Sequence, residues 1–152
     1  MAKVKKQAID NFLKAKNIAI AGVSRDKKKF GYKVFELLKK QGYQLAPINP
    51  NIEEIDGIKA YSDIMSLPED FKNLIILTKP DQTDKLVEDA VKRGINNIWI
   101  QQMSETVSAI EFAQKNNVNL VYKECVFMHA EPVESIHSFH RFMRKLFGLF
   151  PK

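Results

Sequence analysis

Five short apolar runs, alternating with stretches of helical period, decide what this chain can fold into. The runs are Asn17–Gly22 (NIAIAG), Gln44–Ile48 (QLAPI), Asn73–Leu77 (NLIIL), Asn97–Ile100 (NIWI) and Val118–Tyr122 (VNLVY). Each has the length of a strand, and apolarity that is continuous marks a strand buried on both faces. Between them, Val34, Phe35, Leu37 and Leu38 share one helical face of residues 31–41, which Gly42 closes. Leu86, Val87, Ala90 and Val91 do the same over 82–93, with Asp81 as the expected cap and Gly94 as the end. Ser104 is the expected cap of a helix reaching about Asn116, and 4–15 reads as an amphipathic helix carrying Ile9 and Phe12. Asn49–Tyr61 reads as a turn-rich connection, and Ser62–Leu67 as one helical turn stopped by Pro68.

Strands that alternate with helices predict a parallel sheet covered on both faces. With right-handed crossovers this is a Rossmann-like, doubly wound α/β fold of about five strands. Pro47 hints that the second strand lies at an edge or ends toward a ligand. The 152 residues suit one domain, with a core over about 15–125. Beyond it, Val133, Ile136, Phe139, Met143, Leu146, Phe147 and Phe150 follow 3–4 spacing. They predict an extra C-terminal amphipathic helix over 131–150, with Arg141, Arg144 and Lys145 on its polar face.

A composition of 45% hydrophobic and 28% charged residues argues against long disorder. No apolar run approaches the ~20 residues that cross a bilayer, and no greasy segment follows the basic start, so neither membrane span nor signal peptide is expected. Cys125 is the single cysteine, so no internal disulfide can form and a cytoplasmic location is the default. The net charge of +6 is uneven: residues 1–40 carry +9 and the remainder −3. An anionic partner is expected near that basic end.

In doubly wound sheets, ligands sit beyond the carboxyl ends of the strands where strand order reverses. Four loops qualify: 22–31, 49–51, 77–81 and 101–104. The first joins a strand to a helix N-terminus, whose free N–H groups favour phosphate. There Gly22 permits close backbone approach, Ser24 offers a hydroxyl, and Arg25, Lys27, Lys28 and Lys29 surround the turn. The G-x-G-x-x-G fingerprint of NAD sites is absent, and the second strand runs on into Asn49-Pro50-Asn51 rather than an acid. No G-x-x-x-x-G-K-[ST] exists either. So many lysines suit a ligand richer in phosphate than NAD, such as NADP or coenzyme A.

Several of these residues together resemble the small bacterial CoA-binding-domain proteins, similar in fold to the CoA-binding N-terminal domain of the succinyl-CoA synthetase α subunit. The resemblance covers about residues 15–125. It rests on Gly22-Val23-Ser24, on Gly31-Tyr32 opening the helix, and on Gly42-Tyr43 before the second strand. Pro47-Ile48-Asn49-Pro50-Asn51, Gly57 to Tyr61, Leu67-Pro68, the tract Gly94 to Gln101, and Cys125 complete it. The resemblance implies that Gly22, Val23 and Ser24, with Arg25, Lys29 and the helix start Phe30-Gly31, hold the diphosphate of CoA or acyl-CoA. It implies that Asn49 and Pro50 flank the adenine and 3′-phosphoribose, and that Thr78, Lys79 and Pro80 pack beside the adenosine or pantetheine. Gln101 would face the ligand. Met103 departs from the pattern, since such proteins usually have glycine two residues after that glutamine.

Cys125, His129, His137 and His140 form a C-x3-H…H-x2-H set, which could hold zinc or support a reactive thiolate. Such spacings are common by chance and no second cysteine joins them, so a buried Cys125 and surface histidines are expected. The C-terminal phenylalanines are expected to pack within the monomer, with a homodimer or partner interface as the alternative. No paired carboxylates or Ser-His-Asp ordering stands out, so the expectation is a binding protein without catalytic machinery. An NADP-dependent reductase is the alternative, although no tyrosine–lysine pair at i, i+4 supplies its proton donor. A nucleic-acid-binding module using the basic third ranks last, for want of interleaved aromatic residues.

Overall fold

The computed structural model describes residues 6–130. Its elements run α1 (Lys6–Leu13), β1 (Asn17–Ala21), α2 (Phe30–Lys40) and β2 (Gln44–Ile48). A hairpin of β3 (Glu54–Ile55) and β4 (Ile58–Lys59), then a 3-10 turn (Ile64–Ser66), lead to β5 (Asn73–Ile76). There follow α3 (Pro80–Lys92), β6 (Asn97–Gln101), α4 (Val107–Lys115), β7 (Asn119–Glu124) and α5 (Val126–Ala130). The helix expected over 131–150 lies outside the described residues, together with His137, His140 and the C-terminal phenylalanines. Among the described residues, no helix is long and apolar enough to cross a membrane.

The five main strands are parallel, in the order β2-β1-β5-β6-β7. The chain steps from β1 to β2 on one side, then returns to place β5 on the other side of β1. Strand order therefore reverses between β1 and β5, and a crevice opens there at the carboxyl ends. β2 is an edge strand, where Pro47, paired with Ile20, leaves no interior ladder bond unmade.

Successive residues of each strand feed opposite faces, so the sheet divides two cores. Ile18, Ile20, Ile75, Trp99 and Val121 face α1, α2 and α5, meeting Phe12, Val34, Phe35 and Val126. Ala19, Ala21, Leu74, Ile76, Ile98 and Ile100 face α3, α4 and the 3-10 turn, meeting Val87, Ala90, Ala109 and Ile64. Trp99 is fully buried, its ring edge-on to Phe12 at 5.5 Å, and its indole N–H donates to the Glu124 carbonyl at 3.3 Å. Complete burial of such a ring contributes roughly 3 kcal/mol, so Trp99 anchors the α1 face.

Three local features correct the sequence-based expectations. Asp81 does not cap α3: the helix begins one residue earlier with Pro80 at its first position, and Lys79 precedes it with no side-chain cap. Proline fits there because that N–H has no intrahelical acceptor in any case. Ser104 does not cap α4 either; Thr106 does, its hydroxyl accepting from the Ala109 N–H at 3.0 Å. The segment between Asn49 and Tyr61 contains the β3–β4 hairpin, turned by Asp56 and Gly57 at φ of 48° and 80°. Two successive left-handed residues make the tight turn that Asp-Gly favours.

Candidate functional site

The carboxyl end of the sheet is assembled around a close approach of two glycines. Gly22 leaves β1 with φ +100°, and a Cβ there would lie 2.9 Å from the Leu77 carbonyl carbon and 3.0 Å from the Thr78 nitrogen. Only a residue without a side chain lets the β1 turn and the β5 turn meet. Gly31, in the first turn of α2, lies so near the Gly22 carbonyl oxygen that any Cβ would collide with it. This contact pulls the α2 N-terminus onto the turn. Gly31 thus supplies the tight helix–strand packing of a dinucleotide fingerprint, from nine positions after Gly22.

The loop between the glycines is braced from within. Ser24 Oγ accepts from the Asp26 N–H at 3.2 Å, Asp26 Oδ1 accepts from the Lys28 N–H at 3.0 Å, and the Lys29 N–H donates to the Asp26 carbonyl at 3.0 Å. Val23 is buried among the α2-face core, and Phe30 packs edge-on to Phe127 at 5.2 Å. Asn49 joins this loop to the next: its Nδ2 donates to the Val23 carbonyl at 3.0 Å, and its Oδ1 accepts from Asn51 N–H at 2.8 Å. Ser24 and Asn49 therefore shape the turn through their side chains.

What remains outward is charge and backbone. Gly22, Arg25, Lys27, Lys28 and Lys29 are exposed. Among the described residues the salt bridges are Lys40–Glu36, Lys85–Asp89 and His129–Glu124, so none engages this cluster. Lys29 stands at the N-cap of α2 without a side-chain cap, so its own side chain takes none of the first-turn N–H groups. Four cations over an uncapped helix N-terminus suit a phosphorylated group. Both ends of α2 are also held from outside. The Tyr32 hydroxyl donates to the Asp56 carboxylate at the hairpin tip, and Lys39 Nζ reaches the Asp56 carbonyl at 3.3 Å. That hydrogen bond, then burial and the charges of Asp56 and Glu36, pushes the Tyr32 pKa up to about 12.

Beside the turn, at the ends of β1, β2 and β5, lies a cleft of ≈ 350 Å³, within the size range of small-molecule sites. Ala21, Ile48, Pro50, Ile64 and Leu86 give it apolar walls, and Thr78 also lines it. Thr78 Oγ1 is buried with no hydrogen-bond partner. An orphaned buried hydroxyl costs about 1–3 kcal/mol, a penalty that a ligand's polar atom would relieve. Asp63, Asp81 and Asp89 also line the cleft, against Lys85, which is paired with Asp89 at 3.2 Å. The acidic cleft repels phosphate and the basic turn attracts it, so a phosphorylated group fits the turn and a neutral ring with polar edges fits the cleft. Lys79 and Pro80 are exposed at the mouth of α3 on the same side.

The fourth loop differs from expectation. Gln101 is 2% exposed and turns inward, its Oε1 accepting from the Val126 N–H at 2.9 Å. It fastens α5 to the sheet. Met103 takes φ 76°, the left-handed backbone that a glycine would adopt, and its N–H donates to Glu105 Oε2 at 2.8 Å. Cys125 is buried beside this region, and burial pushes its thiol pKa up, partly opposed by the Gln101 side chain and the Phe127 and Met128 N–H groups. A thiol held protonated is a weak nucleophile. His129 pairs with Glu124 at 3.0 Å.

A family profile described as a CoA binding domain matches residues 16–131. The chain is 28% identical over 129 residues to the α subunit of ADP-forming acetate–CoA ligase II of Pyrococcus furiosus, covering 78% of this chain and 28% of that one. The chain thus spans little more than a quarter of that ligase subunit. It is 21% identical over 113 residues to the YneT protein of Bacillus subtilis, covering 74% of this chain and 84% of that one. A solved structure, a hypothetical protein of Pyrococcus horikoshii OT3, superposes with a TM-score of 0.78 at 26% identity, covering 85% and 96% of the two chains.

Proposed function

The chain belongs to the CoA-binding domain family, and from that premise we propose that it binds coenzyme A or an acyl-CoA at the carboxyl end of its sheet. The diphosphate rests on the Gly22–Ser24 turn and the α2 N-terminus, with Arg25 and Lys29 over it. The adenine ring enters the cleft, where Asn49, Pro50, Thr78, Lys79 and Pro80 border the adenosine and the Thr78 hydroxyl gains its missing partner, while the 3′-phosphate stays outside at the mouth beside the exposed Lys79. The observation that carries this reading is the Gly22–Gly31 approach beneath four cations that no salt bridge of the described residues engages. The proposed role is binding alone, with no catalytic step by this chain. A cytoplasmic setting, inferred from the single cysteine, belongs to the same proposal.

The test is calorimetric titration with CoA, dephospho-CoA, NADP and NAD. Saturable CoA binding is expected, weaker with dephospho-CoA and weakened about threefold to tenfold by Arg25→Ala or Lys29→Ala, the range for exposed, salt-screened contacts to phosphate. No heat with CoA at millimolar concentration, or tighter binding of NADP, would overturn the proposal.

A further inference from the structure

Two helices begin at the crevice, and their first turns carry different charge. α2 starts beside Arg25, Lys27, Lys28 and Lys29 and has no acid in its first turn. α3 starts Pro80-Asp81 and so carries an acid in its first turn. The four cations draw a diphosphate to α2, which leaves the base as the part that meets the acid of α3. Three carboxylates line the cleft there, and two are already engaged. Asp89 holds Lys85 through both oxygens, at 3.3 and 3.2 Å. Asp63 accepts from the Ser66 N–H at 2.9 Å, and its other oxygen lies 3.5 Å from the Ser62 hydroxyl. Asp81 has no hydrogen bond or ion pair among the described residues.

The other unpartnered polar group of the cleft is the buried Thr78 hydroxyl, three residues earlier in the chain. Between apolar walls the cleft thus offers a carboxylate, which accepts hydrogen bonds, and a hydroxyl, which can donate one. Adenine presents the matching pair, an exocyclic 6-amino donor next to ring nitrogens that accept. A 6-oxo purine turns an acceptor toward the carboxylate instead, and a site built to receive a donor rejects a ligand that lacks it. We propose that Asp81 selects adenine over a 6-oxo purine, its carboxylate accepting from the 6-amino group while the Thr78 hydroxyl serves a neighbouring ring nitrogen. This assignment rests on the reading of the cleft as the place of the adenine ring.

The test titrates the full chain with CoA and with deamino-CoA, in which hypoxanthine replaces adenine. The parent should bind CoA about tenfold more tightly, the order expected of one hydrogen bond to a charged group. Asp81→Ala should weaken CoA by about that factor and leave deamino-CoA unchanged or tighter, so the preference disappears. Asp81→Asn, whose amide can donate to the 6-oxo group, should bind deamino-CoA more tightly than Asp81→Ala does. Asp81 is exposed, and a general loss of fold would weaken both nucleotides alike rather than change their ratio. Equal affinity of the parent for the two, a preference that survives Asp81→Ala, or an Asn variant no better than the Ala variant toward deamino-CoA would overturn the assignment and leave CoA binding standing. Absence of binding by either nucleotide would overturn the cofactor reading as well.

Discussion

Two loops at the same end of the sheet are built on opposite plans. The β1–α2 loop turns its polar side chains inward to brace itself and leaves backbone and cations outside. The β6–α4 loop buries its polar groups and ties itself to its neighbours. Ser104 is 5% exposed and its carbonyl accepts from Thr83 Oγ1 at 2.6 Å, while Asp84 takes the hydroxyls of Thr106 and of Ser108, the latter at 2.7 Å. Gln101 closes the inner side on Val126. The difference teaches that nearness to the carboxyl ends does not make a loop a binding loop. Of the two, the β1–α2 loop keeps its donors and charges available.

The sharpest way to break the contrast is Gly31→Ala. The added methyl has only the Gly22 carbonyl to displace, and both backbones are fixed, so overpacking should cost about 3 kcal/mol or more. Urea melts should show the loss, and CoA titration should show binding weakened beyond what the melt alone explains. If Gly31→Ala were as stable as the parent, the two-glycine account of the turn would fail.

The opposite substitution on the other loop should have the opposite sign. Met103 holds φ 76° with its side chain 56% exposed, so Met103→Gly removes a steric penalty and little packing. Relief of left-handed strain, less the added chain entropy of glycine, leaves a gain of about 0.5 kcal/mol, visible as a raised melting midpoint. A loss of stability would mean that the Met103 side chain holds the loop.

The smallest effect concerns acid. The Thr106 and Ser108 hydroxyls lower the Asp84 pKa from its ordinary 3.8. Its folded value lies below its unfolded one, so the stability it contributes is present above about pH 4 and disappears as pH falls through the folded value. Asp84→Asn should therefore lower stability slightly at neutral pH and flatten a small part of the acid-side decline, seen in melts between about pH 5 and pH 2. An unchanged acid profile would remove Asp84 from the latch.

The fold was legible because burial on both faces writes itself as uninterrupted apolar runs. NLIIL and NIWI admit few other readings, and the observed strands lie within two residues of each expected one. Helix beginnings were harder. Asp81 looks like a cap until Pro80 is recognised as the first helical residue, and Ser104 until Thr106 is seen two residues on. The hairpin carried the Asp56-Gly57 signal but only two residues on each side, too few to show alternation. At the site, the glycines and lysines identify the loop, but the directions of Ser24, Asn49 and Gln101 depend on partners 2 to 26 residues away, which no local pattern encodes. The pairing of Gly31 with Gly22 escaped because its spacing matches no familiar fingerprint.

The Asn119 side chain donates to the Ala8 carbonyl at 3.1 Å, across 111 residues of sequence. α1 therefore completes its packing against β7, the last of the five parallel strands to be synthesised. The turn bearing Gly22 is synthesised early, yet Phe30 at its far end waits for Phe127 and the helix ahead of β1 waits for Asn119. A chain still in translation at residue 100 has its basic loop but neither of these closures, and the entropy of closing so long a loop falls on the step that adds β7. A chain at that stage would thus present its cation-rich end, with its N-terminal helix held by Trp99 and Tyr43 but lacking the Asn119 contact until the fifth parallel strand arrives.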